Sequence, residues 1–144
     1  MSNFKSKTVW FQGFKYKTVQ SPTTGRIWLD RNLGTSDTDV HGGYFKFGEA
    51  LCPDGYEIPT DKDWSNELPK GGDTDLAWLN ISLAGFRSTY GKLHSNDDMA
   101  YLWSSSELHG NGIGYRRYAY STGTKVFSVP DNKESRFNVR LIKQ

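Results

Sequence analysis

The chain has 144 residues, a length typical of one domain, and its 18 basic and 16 acidic residues leave a net charge of only +2. That balance argues against a dedicated nucleic-acid-binding or membrane-surface protein, because such proteins carry a basic excess. Aromatic residues form 15% of the chain, whereas disordered chains contain few of them, so most of the sequence is predicted to fold. Many glycines and few aliphatic residues indicate a loop-rich fold with an aromatic core.

Residues 1–13 predict an extended arm that stands apart from a single domain at residues 14–144. The arm carries two lysines and then an apolar triplet, Val9, Trp10 and Phe11, which an isolated arm leaves exposed. The most economical explanation is an attachment arm that is buried against a neighbour, for instance by adding a strand to a partner's sheet edge. The alternative is that Trp10 and Phe11 fold back onto the domain's own surface.

Alternating apolar residues and turn residues predict that most of the remaining structure consists of short strands. The predicted strands cover residues 15–19, 26–29, 84–90, 101–105, 115–121, 125–129 and 136–142. In the last of these, three apolar residues from Phe137 to Leu141 alternate with three polar residues from Arg136 to Arg140. This alternation predicts one buried face and one wet face.

The clearest helix start lies at Thr60, a residue type that favours the N-cap position. Asp63, three residues later, completes a variant capping box. Trp64 and Leu68 are four residues apart, so both are predicted to lie on the buried face. A second short apolar segment is predicted at residues 75–83.

Cys52 is the only cysteine, which excludes an intrachain disulfide and a cysteine-rich zinc site. No apolar run approaches the ~20 residues of a membrane span, and no apolar secretion signal follows the basic N-terminus. The sequence therefore predicts a chain that is made and first folds in a reducing cytoplasm. Virion proteins fit this expectation as well, because they are made without signal peptides.

Five segments, in this order, resemble one family. They are residues 25–33 (GRIWLDRNL), 52–64 (CPDGYEIPTDKDW), 83–87 (LAGFR), 102–107 (LWSSSE) and 137–140 (FNVR). The family is the Fibrobacter succinogenes major paralogous domain, which has a C-type-lectin-like fold. The resemblance implies an α+β fold with small antiparallel sheets, termini paired in one sheet, two short helices and long loops. Leu141 stands where the family often has a second cysteine, so a family disulfide is absent and Cys52 is free.

No catalytic group, metal site or cofactor is predicted. The string nearest to a calcium-binding lectin tripeptide, at residues 129–132, is better explained as a turn between strands. His41, His94 and His109 fall in predicted loops and are interpreted as solvated bystanders. Cys52 precedes a turn and is interpreted as a buried structural thiol, not as a nucleophile.

The most suggestive functional feature is the sequence YRRYAY at residues 115–120. In a strand, Arg116, Tyr118 and Tyr120 share one face. Tyrosine and arginine on an exposed sheet face are typical of binding hot spots and can stack on sugar rings. The alternative is that the two tyrosines pack beneath a loop with their hydroxyl groups exposed.

These features predict a non-enzymatic structural or recognition module, in particular a bacteriophage virion surface protein. Its role would be head decoration or that of a receptor- or glycan-binding accessory. The predicted partners are a capsid or other virion protein, a glycan, or both, with no nucleic acid and no membrane span; self-association stays open. The alternative is the carbohydrate-binding domain of a secreted or surface bacterial protein, and an enzyme comes third.

Overall fold

The computed structural model describes residues 4–38, 40–69, 76–94, 99–107, 113–120 and 126–144, and for residues 113–120 and 126–128 it describes the backbone alone. The strands are β1 Thr8–Phe11, β2 Phe14–Gln20, β3 Ile27–Leu29, β4 Tyr56–Glu57, β5 Phe86–Arg87, β6 Leu93–His94, β7 Met99–Glu107, β8 Ile113–Tyr120, β9 Val126–Asn132 and β10 Ile142–Lys143. Among the described residues, the helical elements are the α-helix α1, Asp61–Asn66, and a 3-10 turn at Ala77–Leu79.

The described strands form three small sheets in which neighbouring strands are antiparallel. The largest sheet has five strands in the order β1-β2-β3-β10-β4, so the C-terminal strand lies between strands from the first half of the chain. β5 and β6 form a two-stranded sheet, and β7, β8 and β9 form a three-stranded sheet. The prediction of a mixed, sheet-rich fold built from small antiparallel sheets is therefore confirmed.

The helix α1 begins where its capping signal predicts. The Thr60 hydroxyl oxygen accepts a hydrogen bond from the Asp63 amide at 3.0 Å, and the Asp63 carboxylate accepts one from the Thr60 amide at 2.9 Å. Both carboxylates of the first turn, Asp61 and Asp63, lie at the positive end of the helix dipole. Trp64 and Leu68 are buried, as their four-residue spacing predicts.

The expectation of two short helices is wrong for the described residues, where α1 is accompanied only by the 3-10 turn at Ala77–Leu79. Asn80 follows that turn with a φ of 53°, a left-handed conformation that cannot continue a right-handed helix. The apolar segment predicted at residues 75–83 is therefore interrupted after a single turn.

The core consists of two aromatic clusters. In the larger one, the rings of Trp103 and Phe137 lie 4.1 Å apart between centroids. In the smaller one, the rings of Trp28 and Trp64 lie 4.8 Å apart. The three tryptophans Trp28, Trp64 and Trp103 are at most 1% exposed, which confirms the aromatic core. β7 separates the clusters, because Trp103 packs into the larger one and its neighbour Leu102 into the smaller one.

The strand predicted at residues 136–142 is wrong in its extent, because residues 136–138 form only isolated bridges and β10 begins at Ile142. The predicted wet face of this segment is also wrong. Asn138 and Arg140 are as completely buried as the apolar residues beside them. Loops cover this second face: the Asn138 amide group donates to the Gly43 carbonyl at 2.7 Å, and Arg140 donates to the Asn80 carbonyl at 3.1 Å. Because buried loop carbonyls need donors, polar side chains occupy positions that simple alternation assigns to solvent.

Arg140 is held entirely by neutral acceptors. Its Nε and Nη2 atoms donate to Asn32 Oδ1 at 3.2 and 2.9 Å, and its other bonds go to the carbonyls of Leu79 and Asn80. Burial lowers the pKa of the Arg140 guanidinium to about 9, although the negative charge of Asp30 opposes the shift. The group therefore stays protonated at neutral pH and joins the loops to the last motif of the sequence.

Two predicted turn and strand boundaries are also corrected. The turn predicted at residues 129–132 belongs to β9, which continues to Asn132 before the chain turns. The strand predicted at residues 84–90 is confined to β5, because a tight turn follows in which the Gly91 amide donates to the Ser88 carbonyl at 2.8 Å.

Candidate functional site

The N-terminal segment forms a hairpin and not a free arm. β1 pairs antiparallel with β2 over its whole length. The two connecting residues, Gln12 and Gly13, have φ values of 51° and 82°, as the two-residue turns that suit twisted hairpins require. Val9 and Phe11 are half-buried against the larger core cluster. The predicted separation of residues 1–13 from the domain is therefore corrected, since β1 belongs to the domain's own sheet.

Trp10 points away from the core on the opposite face of this hairpin. Its side chain is 67% exposed, and it is the only exposed residue among the five tryptophans, all of which lie in the described ranges. Lys15 lies directly across the ladder from Trp10, and Lys17 lies across from Thr8. We call these four residues, Thr8, Trp10, Lys15 and Lys17, the hairpin face.

The hairpin concentrates positive charge. Residues 1–20 contain four lysines and no aspartate or glutamate, although the whole chain has a net charge of only +2, so the remainder is net acidic. Lys5, Lys7 and Lys17 are exposed and Lys15 is half-buried. Within the described ranges no carboxylate forms an ion pair with any of these four lysines. The hairpin therefore presents a positive potential that the domain itself does not neutralise.

β1 is also an edge of the five-stranded sheet. The Thr18 amide donates to the Lys7 carbonyl at 2.9 Å, and in an antiparallel ladder residues that bond inward alternate with residues that bond outward. Lys7 and every second residue after it therefore bond toward β2, whereas the amide and carbonyl groups of Thr8 and Trp10 point away from it. No strand in the described part of the chain pairs with that outer side.

An open groove of about 410 Å³ adjoins the hairpin face at Lys17. Its walls are formed by Phe4, Ser6, Lys17, Thr18, Val19, Gln20 and Asp30. The Asp30 carboxylate accepts hydrogen bonds from Arg31 at 2.6 and 2.7 Å. Burial alone would raise the pKa of Asp30, but the hydrogen bonds from Arg31 and the Lys17 amide and the nearby positive charges outweigh burial and hold the pKa below its usual value. The Asp30 carboxylate of the groove is therefore already paired with Arg31, whereas the Lys17 ammonium forms no ion pair with a described carboxylate.

The second predicted site lies on β8. Arg116, Tyr118 and Tyr120 occupy alternate positions of this strand and pair with alternate residues of β7. Their side chains lie outside the part of the chain that the structure describes. A ligand-contacting face at these three residues stays a prediction.

Two of the three histidines are not the solvated bystanders that the sequence predicts. His41 Nδ1 lies 2.5 Å from the Ser82 hydroxyl oxygen, and the His94 ring stacks on Phe86 with centroids 5.2 Å apart. His109 lies outside the described residues. Among the described residues, no group of three or more His, Cys, Asp or Glu side chains is close enough to share a metal ion.

Cys52 is a free, half-buried cysteine. Burial raises the pKa of its thiol, and a hydrogen bond from the backbone at Ile58 only partly opposes that shift. Because the thiolate is the reactive form, a raised pKa makes this cysteine a weak nucleophile at neutral pH. This environment favours the structural role that the sequence predicts for Cys52.

The chain matches no family model, no curated protein and no solved structure. In the part of the chain that the structure describes, no helix has the length and apolar character needed to cross a membrane. Among the described residues, the hairpin face is where an exposed aromatic side chain, unneutralised charge and a free strand edge coincide.

Proposed function

We propose that the chain is a non-enzymatic recognition module of the C-type-lectin-like class, carried on the surface of a bacteriophage virion and attached there to a capsid or other virion protein. The observation that carries the attachment is the 67% exposure of Trp10 on a strand that the domain holds in place. The hairpin face is the proposed contact surface.

Trp10 has the properties of a binding anchor. Its strand is held from the inner side, where Val9 and Phe11 pack against the core, so the hairpin does not need the Trp10 ring in order to fold. Tryptophan is enriched among the few residues that supply most of the binding energy of protein interfaces. A partner that covers this ring removes apolar surface from water, which stabilises a complex by about 25 cal/mol per Å².

Membership of the lectin-like class is supported by the contribution of the motif segments to the two core clusters. Trp28, Trp64, Trp103 and Phe137 come from four of these segments, and all four are buried. β10 pairs with both β3 and β4, which agrees with the resemblance in placing the two ends of the chain in one sheet. A fold by itself defines no ligand, so only the hairpin face supports the proposed attachment.

A non-enzymatic role is supported by the structural contacts of three groups whose pKa values are shifted. Asp30 binds a neighbouring arginine, and Arg140 joins loops to the core. Burial raises the pKa of Tyr16, whose hydroxyl accepts a hydrogen bond from the Gly34 amide at 2.8 Å. Structural ion pairs and packing shift pKa values as well as active sites do, and the contacts of these three groups are structural.

Virion attachment is tested with particles of the phage whose genome encodes the chain. Mass spectrometry of gradient-purified particles is expected to find the chain in a fixed ratio to the capsid protein. Purified Trp10→Ala is expected to bind particles that lack the chain at least about tenfold more weakly than the wild type, with an unchanged melting temperature. Tyr90→Ala removes an aromatic side chain that is 96% exposed elsewhere, and this control is expected to bind normally. Absence of the chain from purified particles would contradict the proposal.

A glycan array separates this proposal from its alternative, the carbohydrate-binding domain of a secreted or surface bacterial protein. The proposal expects that Trp10→Ala, and not a substitution on β8, weakens attachment to the particles. The alternative would be favoured if glycan binding were retained in Trp10→Ala but lost in Arg116→Ala or Tyr118→Ala. The functional site would then lie on β8.

A further inference from the structure

We propose that the outer edge of β1 is a strand-addition site for an extended, acidic segment of a partner protein. This inference rests on the proposed attachment through the hairpin face and names the class of partner that the face fits. The partner strand would continue the five-stranded sheet beyond β1, with its carboxylates beside the lysines of the hairpin.

The backbone of β1 has the groups that strand addition requires. Thr8 and Trp10 direct their amide and carbonyl groups away from β2, and no described strand occupies that side. An extended segment laid alongside can therefore form the ladder bonds that an edge strand leaves unmade. The edge is also preorganised, because the tight turn at Gln12 and Gly13 and the inward packing of β1 fix its conformation before a partner arrives.

The side chains of the hairpin give the site its charge preference. In an added strand, alternate side chains lie on the same side of the sheet as Trp10, Lys15 and Lys17, so acidic residues at these positions meet positive charge. Lys5 and Lys7 continue the basic character along the chain before β1. Since no described carboxylate neutralises these lysines, an acidic segment is favoured over a neutral or basic one.

The same charges argue against a second copy of this chain as the occupant. Two β1 strands paired across a two-fold axis would bring two hairpins together, each with four lysines and no carboxylate in residues 1–20. Like charges that face each other across strands are destabilising. A polyanion such as a nucleic acid or a sulfated glycan would use the lysines but not the free amide and carbonyl groups of Thr8 and Trp10. The strand edge therefore favours a protein partner.

The experiment uses the full chain and a synthetic peptide of alternating valine and glutamate, blocked at both ends. The same peptide with lysine in place of glutamate is the matched control. NMR titration is expected to show binding of the glutamate peptide alone. Amide hydrogen exchange is expected to slow at Thr8 and Trp10 when the glutamate peptide is bound, because these amides then donate to the added strand.

Two matched pairs of variants separate the backbone from the charge. Thr8→Pro removes an outward amide that edge strands can lose without unfolding, and it is expected to weaken peptide binding at least about tenfold, whereas Thr8→Ala keeps that amide and is expected to bind normally. Reversing both charges of the hairpin face in Lys15→Glu/Lys17→Glu is expected to abolish binding. Lys62→Glu/Lys143→Glu changes the net charge equally at exposed positions elsewhere and is expected to leave binding unchanged.

Several results would overturn the inference. Equal binding of both peptides would do so, and so would no binding of either. Unchanged hydrogen exchange at the Thr8 and Trp10 amides of the wild type would also do so, and that measurement does not depend on the folding of any variant. Binding of heparin that is lost with the two hairpin lysines but unaffected by Thr8→Pro would identify a polyanion site. A dimer in sedimentation without peptide would show that a second copy occupies the edge. If the peptide experiments fail while Trp10→Ala still detaches the chain from virions, strand addition is wrong and the proposed attachment stands.

Discussion

Glu67 provides the sharpest test of how this loop-rich chain is held together. It follows α1 and is 1% exposed. Its carboxylate accepts hydrogen bonds from the Ser21 hydroxyl, from the Thr24 hydroxyl at 2.7 Å and from the Trp28 indole at 2.9 Å. One side chain therefore joins the turn after β2, the core tryptophan of β3 and the end of the helix.

The informative change is Glu67→Gln, which keeps the size of the side chain and removes its charge. Hydrogen bonds to a charged acceptor contribute about 1.5–3 kcal/mol, whereas those between neutral groups contribute about 0.5–1.5 kcal/mol. The glutamine NH₂ group also cannot accept, so at least one of the three donors must rotate away or lose its partner. We expect Glu67→Gln to lower the free energy of unfolding by about 2–4 kcal/mol, with a drop in melting temperature of roughly 3 °C for each kcal/mol.

Urea unfolding followed by tryptophan fluorescence measures this change. The control is Glu134→Gln, whose carboxylate is 64% exposed and 3.1 Å from the Lys46 ammonium, and which is expected to change stability by less than about 1 kcal/mol. Unfolding of Glu67→Gln at the wild-type midpoint and slope would refute the reasoning, because it would show that the three donors do not depend on the buried charge.

Three further predictions concern pH, thiol reactivity and a glycine. The pKa of Asp30 is lower in the folded chain than in the unfolded chain, so its contribution to the free energy of unfolding is complete above about pH 4 and is lost as the pH falls through the folded pKa. In urea titrations at a series of acidic pH values, Asp30→Asn should therefore lose less stability with falling pH than the wild type. Cys52, with its raised pKa, should react with iodoacetamide at about pH 8 at least about tenfold more slowly in the folded chain than in denaturant. Gly42→Ala should cost about 1–2 kcal/mol more than Gly48→Ala in the same assay, because both positions have positive φ but only the new Cβ at Gly42 would lie 2.8 Å from the Leu33 carbonyl oxygen. Equal losses for the two alanine variants would contradict that argument.

Features that a few neighbouring residues determine could be predicted from the sequence. The capping box of Thr60 and Asp63 sets the start of α1 through hydrogen bonds that span three residues. The burial of Trp28, Trp64 and Trp103 agrees with their positions in three of the family-like segments; size alone does not bury a tryptophan, because Trp10 is 67% exposed.

The hairpin contains a signal that the prediction of an arm did not use. Gln12 and Gly13 stand between two segments with β-forming residues, and a two-residue connection ending in glycine is a hairpin signal. That reading divides the apolar triplet by face, with Val9 and Phe11 inward and Trp10 outward, as the structure shows. The three apolar residues therefore do not form one exposed apolar surface. Of the three, only the Trp10 side chain is exposed enough for a partner to cover.

The last motif could not be predicted from alternation because its environment is set by distant loops. Alternation assigns one face of a strand to water only if nothing covers that face. Here the loops around Gly43 and Asn80 cover it, and their carbonyls accept hydrogen bonds from Asn138 and Arg140. Contacts between residues roughly 60 to 95 positions apart leave no trace in a local pattern.

The polar residues of the core and those of the hairpin serve different purposes, and this difference explains why the candidate site lies on the hairpin. A fold with long loops must satisfy many backbone groups without regular ladders, and buried side chains such as Arg140 and Glu67 do so from within. Their charged groups are buried and hydrogen-bonded within the fold, so they are unavailable to a partner. The lysines of the hairpin and the ring of Trp10 have no such structural partner among the described residues, and they lie beside the one long ladder edge of the main sheet that is left unpaired. The proposed recognition surface is therefore the part of the chain whose side chains the core does not use.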